Sequence, residues 1–170
     1  MEFLDFAKKR YSCRSMDGRE IAQEDLDKII EAAMVAPTSI NGQPFKVFVM
    51  KSQHAKEVLR DAISNTYGAN TYLVVGAATK TGPVRKSDSF NFPLTDATIA
   101  ATHMMLEVED LGLATTWIGA FDPIALYEAF PEMKDYALVG IFPIGYATTD
   151  AVPSKMHTKS KTKDQLVVEL

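Results

Sequence analysis

Two arginines flank a hydroxyl in the segment Arg10-Tyr11-Ser12-Cys13-Arg14, directly after a predicted amino-terminal helix. Because side chains alternate in an extended segment, Arg10, Ser12 and Arg14 share one side, and Tyr11 and Cys13 face the other. Two guanidinium groups around a hydroxyl suit a phosphate or another delocalised anion. The segment therefore predicts an anion-binding site; the alternative is a surface cluster in which the arginines pair with acidic neighbours. The cysteine is predicted to be a packed thiol rather than a nucleophile, although two adjacent cations favour a thiolate.

Hydroxyl and amide side chains are concentrated in a second segment, Pro37–Pro44, which lies between a predicted helix and a predicted strand. Its polar side chains are Thr38, Ser39, Asn41 and Gln43. The flanking prolines restrict the backbone on both sides. Such a loop offers donors and acceptors to the polar edge of a ring or to a sugar-like chain, so it is the second candidate binding segment.

Several catalytic and binding motifs do not occur in the sequence. It contains no GxGxxG turn for a dinucleotide, no GxxxxGK[ST] phosphate loop and no GxSxG nucleophile elbow. His54, His103 and His157 are far apart and have no metal-ligand spacing. Metal chemistry and hydrolysis are therefore poorly supported, and we expect no metal site and no catalytic side chain.

Hydrophobic periodicity predicts the elements that must hold the two segments. The predicted helices cover residues 3–10, 23–36, 52–63, 95–111 and 123–130, and the predicted strands cover residues 45–50, 72–78, 115–118 and 137–146. Residues 79–93 contain Gly82, Pro83 and Pro93 and are predicted to be a mobile loop. Helices interleaved with strands indicate an α+β or α/β fold with helices packed on a sheet.

Two predicted elements have more apolar surface than one core requires. The helix over 95–111 is apolar around most of its circumference, and the chain ends in the apolar run Leu166–Leu170. A helix of that kind is buried in a core or against another chain. We interpret both elements as dimer contacts; the alternative is that they complete the core of one chain.

The composition is that of an ordinary globular protein. The chain has 170 residues, of which 46% are hydrophobic and 24% charged, and a net charge of −4. This charge disfavours nucleic acid as a partner, and the single cysteine excludes an intramolecular disulfide. No apolar run approaches the ~20 residues of a membrane-spanning helix, and the amino terminus is unlike a signal peptide. We therefore expect a soluble cytoplasmic protein without a membrane partner.

Together these segments resemble the nitroreductase family of flavin mononucleotide (FMN) enzymes. The matching residues, in chain order, are Arg10, Ser12 and Arg14; Ala36-Pro37-Thr38-Ser39, Asn41 and Gln43-Pro44; Asp96; Gly112-Leu113; Trp117-Ile118-Gly119-Ala120-Phe121-Asp122; and Pro143-Ile144-Gly145-Tyr146. The resemblance implies one FMN-binding domain over residues 1–170, with an α+β fold and a central, mostly antiparallel sheet flanked by helices. It also implies an intertwined homodimer in which each FMN site is built from both subunits.

The resemblance also assigns roles to residues. Arg10 and Ser12 would hold the phosphate and ribityl end, Arg14 would lie near the flavin pyrimidine, Asn65 would contact the ring, and Gly119 with Ala120 would offer a backbone N–H to flavin N5. Pro37, Thr38, Ser39, Asn41 and Gln43 would come from the other subunit. Family members commonly carry a phosphate-binding arginine after the Gly-Tyr stretch, but this chain has His157-Thr158-Lys159-Ser160-Lys161 there. Lys159 or Lys161 would replace it as a point charge; the alternative is a solvated lysine tail.

The activity that the resemblance implies needs no catalytic side chain, because flavin N5 is the reactive centre. NADH or NADPH would deliver hydride and leave, and a flat acceptor such as a nitroaromatic or quinone would then enter the same cleft. Selectivity is predicted to lie in the 79–93 loop, where Phe90 and Phe92 either stack on a ligand or belong to the core.

Three alternatives remain open at this point. The first is a flavin-binding storage or sensing protein without turnover, and the second is a related flavin dehalogenase or dehydrogenase. The third has no flavin and uses the Arg10–Arg14 segment to bind a phosphate or a protein partner.

Overall fold

An antiparallel sheet of four strands lies at the centre of the structure, a computed structural model that describes residues 2–170. The strands are β1 (Phe45–Met50), β2 (Thr71–Ala77), β3 (Val84–Arg85), β4 (Phe90–Asn91), β5 (Ala114–Thr115) and β6 (Ala137–Gly145). The central sheet has the order β1-β2-β6-β5, and β3 pairs with β4 in a separate hairpin. All pairings are antiparallel. The predicted α+β class and the antiparallel sheet are confirmed.

Helices cover both faces of this sheet. They are α1 (Phe3–Lys9), α2 (Gln23–Met34), α3 (Gln53–Ala62), α4 (Phe92–Asp110), α5 (Pro123–Ala129) and α6 (Lys163–Leu166). Short 3₁₀ turns occupy Ser39–Asn41 and Pro131–Met133. None of the helices in the described part of the chain is long and apolar enough to cross a membrane.

Strand β2 is buried along its whole length, as its continuous apolar run predicts. Leu73 and Val75 belong to the core cluster that also contains residues of α2 and α4. Tyr72 and Val74 point the other way, into the cluster that contains residues of α3 and α5. Because successive side chains of a strand point to opposite faces, β2 contributes residues to the core on both sides of the sheet.

The segment 79–93 differs from the predicted loop. It contains the β3–β4 hairpin, and α4 begins at Phe92 rather than near Thr95. Pro93 lies in the first turn of α4. A proline is tolerated there because amide groups of the first turn have no partner within the helix. Pro93 therefore belongs to the start of α4 and not to the predicted loop.

The predicted strand over 115–118 is also shorter than expected. Regular pairing stops after Thr115, and a single bridge between Ile118 and Ile141 resumes it in the same register. That register puts the interruption opposite Pro143. Proline has no amide hydrogen to donate to a neighbouring strand, which explains the break.

Helix α4 buries one face and leaves the other half-exposed in the single chain. Ala97, Ala100 and Met104 are fully buried against the sheet. On its other side, α4 and helices α1 and α2 border an open groove of about 430 Å³. Its apolar lining includes Phe3, which is 68% exposed. Exposed apolar surface of this kind marks an interaction site in many proteins.

Candidate functional site

The Arg10–Arg14 segment lies along the β5 edge of the central sheet. Arg10 ends α1, and the Cys13 amide donates to the Thr115 carbonyl at 2.9 Å. Cys13 is only 1% exposed, and its thiol is 3.3 Å from the Ser15 carbonyl, which it can donate to. The predicted alternation holds for Cys13 and Arg14: the thiol packs inward, while Arg14 stays exposed. Tyr11 follows it only in part, because it borders a cavity together with Arg10, Ser12 and Arg14.

Two adjacent cavities open beside this segment, with volumes of about 270 and 570 Å³. The first is lined by Arg10, Tyr11, Ser12, Arg14, Ser154, Met156 and His157. The second is lined by Ala7, Lys8, Arg10, His157, Thr158 and Ser160. Arg10 and His157 therefore border both, and neither lining contains a carboxylate.

The Arg10 guanidinium carries the strongest indication of a ligand. Its Nη1 atom is buried and has no hydrogen-bond partner among residues 2–170. Neither Arg10 nor Arg14 forms an ion pair with any described residue. A buried cationic donor without a partner is costly, and a bound anion would satisfy it. The alternative of arginines paired with acidic neighbours is therefore wrong for this chain.

Sequence reasoning missed the carboxyl-terminal residues that complete the cavities. His157 Nε2 is 3.0 Å from the Lys8 carbonyl, which fastens the segment after β6 to the end of α1. Lys159 and Lys161, the two cations expected there, are exposed and line neither cavity. The one signal in the sequence is that His157 lies two residues before Lys159, in the stretch where a cation was expected.

Tyr11 lies half-buried between the cavities and the sheet. Its ring meets the His157 ring edge-on, with centroids 6.3 Å apart. Burial raises the pKa of the Tyr11 phenol to about 12, and Cys13 and Glu109 add to the shift. Tyr11 therefore stays a neutral donor wherever the cavity binds an anion.

The shift predicts a loss of stability at alkaline pH. The unfolded phenol ionises near pH 10 and the folded one only near 12. The unfolded state therefore gains stability first, and the free energy of unfolding falls across this interval. Tyr11→Phe should remove the part of the decrease in the free energy of unfolding that comes from this phenol. Urea unfolding measured between pH 10 and about pH 12 checks this. An absorbance titration in which the Tyr11 signal appears near pH 10 would contradict the prediction.

The second candidate segment forms a strained turn. Ile40, Asn41 and Gln43 have positive φ angles of 51°, 53° and 46°. The Gln43 side chain donates to the Met34 carbonyl at 3.0 Å, and the buried Asp96 accepts from the Ser39 amide at 3.0 Å. Positive φ is unfavourable for residues other than glycine and persists where surrounding contacts impose it. Strain of this kind is concentrated at functional sites.

Asp96 is the anchor of this turn, and its removal has a local signature. In Asp96→Ala the Ser39 amide loses its acceptor, which should destabilise the protein by about 1 kcal/mol. The effect is moderate because Oδ2 of Asp96 is buried without a partner, so its removal recovers some desolvation energy. Hydrogen exchange should show reduced protection of the Ser39 amide. Asp96→Asn, which keeps an acceptor oxygen, should retain protection; equal protection in all three proteins would rule out the anchor.

The two candidate segments are attached near opposite ends of α4. Ser39 is held by Asp96 in the first turns, whereas Lys9, next to Arg10, is 3.5 Å from Glu109 in the last turn. A helix rises about 1.5 Å per residue, so these two anchors are about 20 Å apart along the axis. Within one chain the segments therefore face different ends of the helix, and the structure does not bring them together.

Other predicted residues do lie close to the arginines. The Met16 amide donates to the Tyr67 carbonyl at 2.9 Å, so the turn that contains Asn65 lies beside the segment that follows Arg14. A bridge between Ile63 and Phe121 then links this turn to the stretch that contains Gly119 and Ala120. Asn65, Gly119 and Ala120 are all exposed, and a Cβ at Gly119 would have nothing nearer than Trp117 at 4.0 Å. The backbone there is open to a ligand.

Phe90 in β4 and Phe92 at the start of α4 pack against each other. The rings of Phe90 and Phe92 meet edge-on with centroids 5.4 Å apart. The Arg85 guanidinium covers Phe90 at 4.8 Å and pairs with Asp88. Phe90 remains 41% exposed, so it is not part of the core.

Comparison with known proteins matches this chain over most of its length. The model of the Nitroreductase family matches residues 7–67 and 64–146. The FMN reductase [NAD(P)H] of Bacillus subtilis is 30% identical over 151 residues, which cover 78% of this chain and 59% of that protein. A protein of Archaeoglobus fulgidus, assigned as an NADH dehydrogenase or NAD(P)H nitroreductase, is 25% identical over 154 residues, with 85% of each chain covered. The crystal structure of a nitroreductase family protein from Clostridium difficile 630 superposes with a TM-score of 0.90 at 30% identity and covers 99% of this chain and 98% of that one.

Proposed function

The chain belongs to the nitroreductase family, and from this membership we propose that it is an FMN-dependent oxidoreductase. In this proposal, residues 1–170 form one FMN-binding domain that takes electrons from NADH or NADPH and passes them to a flat acceptor such as a nitroaromatic or a quinone. The observation that carries it is the buried, unpartnered Nη1 of Arg10 in a cavity without carboxylates. A phosphate-bearing cofactor fits that environment, because it supplies the missing acceptor and the missing negative charge.

The residues around the cavities would bind and orient FMN, which when bound supplies reversible transfer of two electrons. Arg10 and Ser12 would hold the phosphate. Arg14, exposed on the same side, would offer a cation to the pyrimidine end, where negative charge develops on reduction. Gly119 and Ala120 would donate backbone N–H groups, and the open space at Gly119 permits close approach. We infer a ping-pong order, in which the nicotinamide leaves before the acceptor enters the same cleft.

The Pro37–Pro44 turn supports a site shared between two chains. Its anchor on α4 is about 20 Å along the helix axis from the anchor of the arginine segment, which favours a site that takes the two segments from different chains. A homodimer provides such a site, because the turn of one protomer would reach the arginine segment of its partner. The groove beside α4, which is lined by both apolar and charged side chains, would supply the interface together with the exposed residues Leu166 and Val168.

The dimer is testable by dilution. Because each flavin site would need both chains, sedimentation velocity at decreasing concentration should show FMN absorbance only at the sedimentation coefficient of the dimer. Leu106→Glu, which puts a charge into the groove, should weaken the dimer and the retention of FMN together. A monomer that still carries FMN would contradict the shared site.

The experiment that tests the activity is a reduction assay on protein reconstituted with FMN. We expect a flavin absorption spectrum that NADH or NADPH bleaches in the absence of oxygen and that a quinone or nitroaromatic restores. Bound flavin that neither nucleotide bleaches would instead favour the storage or sensing alternative. Bleaching without recovery by these acceptors would favour a dehalogenase or dehydrogenase, and failure to bind FMN would overturn the proposal.

A further inference from the structure

We propose that His157 positions the phosphate of the cofactor in this chain, and that it does so only in its protonated form. This inference rests on the proposed function and refines it, since it concerns which residue takes the place of the expected carboxyl-terminal cation. His157 borders both cavities beside Arg10, whereas Lys159 and Lys161 border neither. The geometry therefore favours the histidine over the lysines.

The hydrogen bond of His157 determines which ring nitrogen carries a proton. Nε2 lies 3.0 Å from the Lys8 carbonyl. A carbonyl oxygen only accepts, so Nε2 must be the donor. In the neutral ring, Nδ1 is then an unprotonated acceptor, and it would repel an acceptor oxygen of a phosphate. The imidazolium, in which both nitrogens donate, can bond to the Lys8 carbonyl and to a phosphate dianion at once, whereas the neutral ring cannot donate to both.

The groups that line the two cavities with His157 include no anion. From α1 and the segment after it come Lys8, Arg10 and Arg14, all cations, and the neutral phenol of Tyr11. Its own segment contributes the neutral side chains of Ser154, Met156, Thr158 and Ser160. None of these groups is an anion, so a bound phosphate would be the counter-charge for an imidazolium at this position.

A proton balance follows from this arrangement. Where the ring is neutral before binding, it must take up one proton from solvent to make Nδ1 a donor to the phosphate, and no covalent bond to the cofactor is made or broken. Affinity for FMN should then fall as pH rises, whereas affinity for riboflavin, which lacks the phosphate, should not respond in this way. A permanent cation at the same position would bind the phosphate without proton uptake.

The test measures dissociation constants of FMN and riboflavin by flavin fluorescence at about pH 6 and about pH 8. His157→Gln keeps a donor for the Lys8 carbonyl and removes the second ring nitrogen. Wild type should bind FMN about tenfold more tightly than His157→Gln at the lower pH, and nearly equally at the higher. The phosphate of FMN is itself protonated near pH ~6. Because this affects both proteins equally, the ratio of their dissociation constants at each pH does not contain its effect. Riboflavin should bind alike to both.

Two further variants make the result specific. His157→Arg should bind FMN tightly at both pH values and remove the dependence. Lys155→Gln removes an exposed cation that lines neither cavity, and it should behave as wild type. Calorimetry of wild type in buffers of different ionisation enthalpy should show proton uptake on FMN binding near neutral pH, and His157→Gln should show less.

The outcomes separate this inference from the proposed function. If wild type binds FMN but His157→Gln has the same affinity at both pH values, the inference is wrong and the proposed function stands. If Lys159→Gln or Lys161→Gln weakens FMN binding while His157→Gln does not, the role returns to the lysine. If wild type binds no FMN at either pH, the proposed function itself fails.

Discussion

Arg10→Ala is expected to weaken FMN binding by about a hundredfold or more, the largest effect of any single substitution in the site. A charge-assisted hydrogen bond contributes about 1.5–3 kcal/mol, and a guanidinium can form two with one phosphate. The buried Nη1 of Arg10 has no partner among the described residues, so the substitution breaks no internal hydrogen bond of that atom. The folded state should therefore survive, with thermal unfolding of the FMN-free protein little changed.

The controls for this variant isolate the phosphate. Riboflavin should bind Arg10→Ala about as well as it binds wild type, and Arg10→Lys should be intermediate, because a lysine keeps the charge without the planar fork. Arg60→Ala, which removes an exposed arginine from α3, should leave FMN binding unchanged. Equal loss of FMN and riboflavin in Arg10→Ala would mean that Arg10 supports the ring or the fold rather than the phosphate.

Gly68→Ala is expected to destabilise the protein by about 3 kcal/mol or more. Gly68 has a φ of +77°, where any other residue is strained, and a methyl group there would overlap the Met16 carbonyl oxygen. That oxygen belongs to the backbone, so it cannot turn aside as a side chain would. The Met16 amide donates to the Tyr67 carbonyl at 2.9 Å, and the overlap would disturb this contact too.

A matched glycine separates the two causes. Gly112 has a similar φ of +71°, but a Cβ there would meet nothing within 4 Å. Gly112→Ala should therefore cost only the backbone strain, about 1 kcal/mol by urea unfolding. Gly68→Ala should also weaken FMN binding, because the displaced Met16 lies two residues after Arg14. Similar losses of stability in both variants would show that the overlap is relieved at little cost.

The sequence predicted most elements because their patterns are local. The alternation in Arg10–Arg14, the apolar run of β2 and the proline that follows α2 each depend on a few adjacent residues. Two of the differences from the predicted fold involve prolines whose effect depends on context. Pro93 lies in the first turn of α4 rather than in a loop, and the interruption after β5 lies opposite Pro143, which is distant in sequence. The β3–β4 hairpin and α6 were not predicted.

The candidate site could be predicted only in part, for a similar reason. Arg10, Ser12 and Arg14 are adjacent and could be recognised by type and spacing. His157 joins them only because the chain after β6 returns to the end of α1, a contact between residues 149 positions apart. Asp96 matches the family pattern, but its hydrogen bond to Ser39 spans 57 positions, and no periodicity indicates it.

The attachment of the two binding segments near opposite ends of α4 has a consequence for mixed populations of subunits. Suppose that each cofactor site takes its arginines from one protomer and its turn from the other. In a dimer of one subunit altered at Arg10 and one altered in the turn, both alterations then lie in the same site, and the second site has neither. A protein defective at Arg10 and one defective in the Ser39 turn would each be inactive alone. Co-expression would rescue them, because each hybrid pair carries one site in which both halves are undamaged.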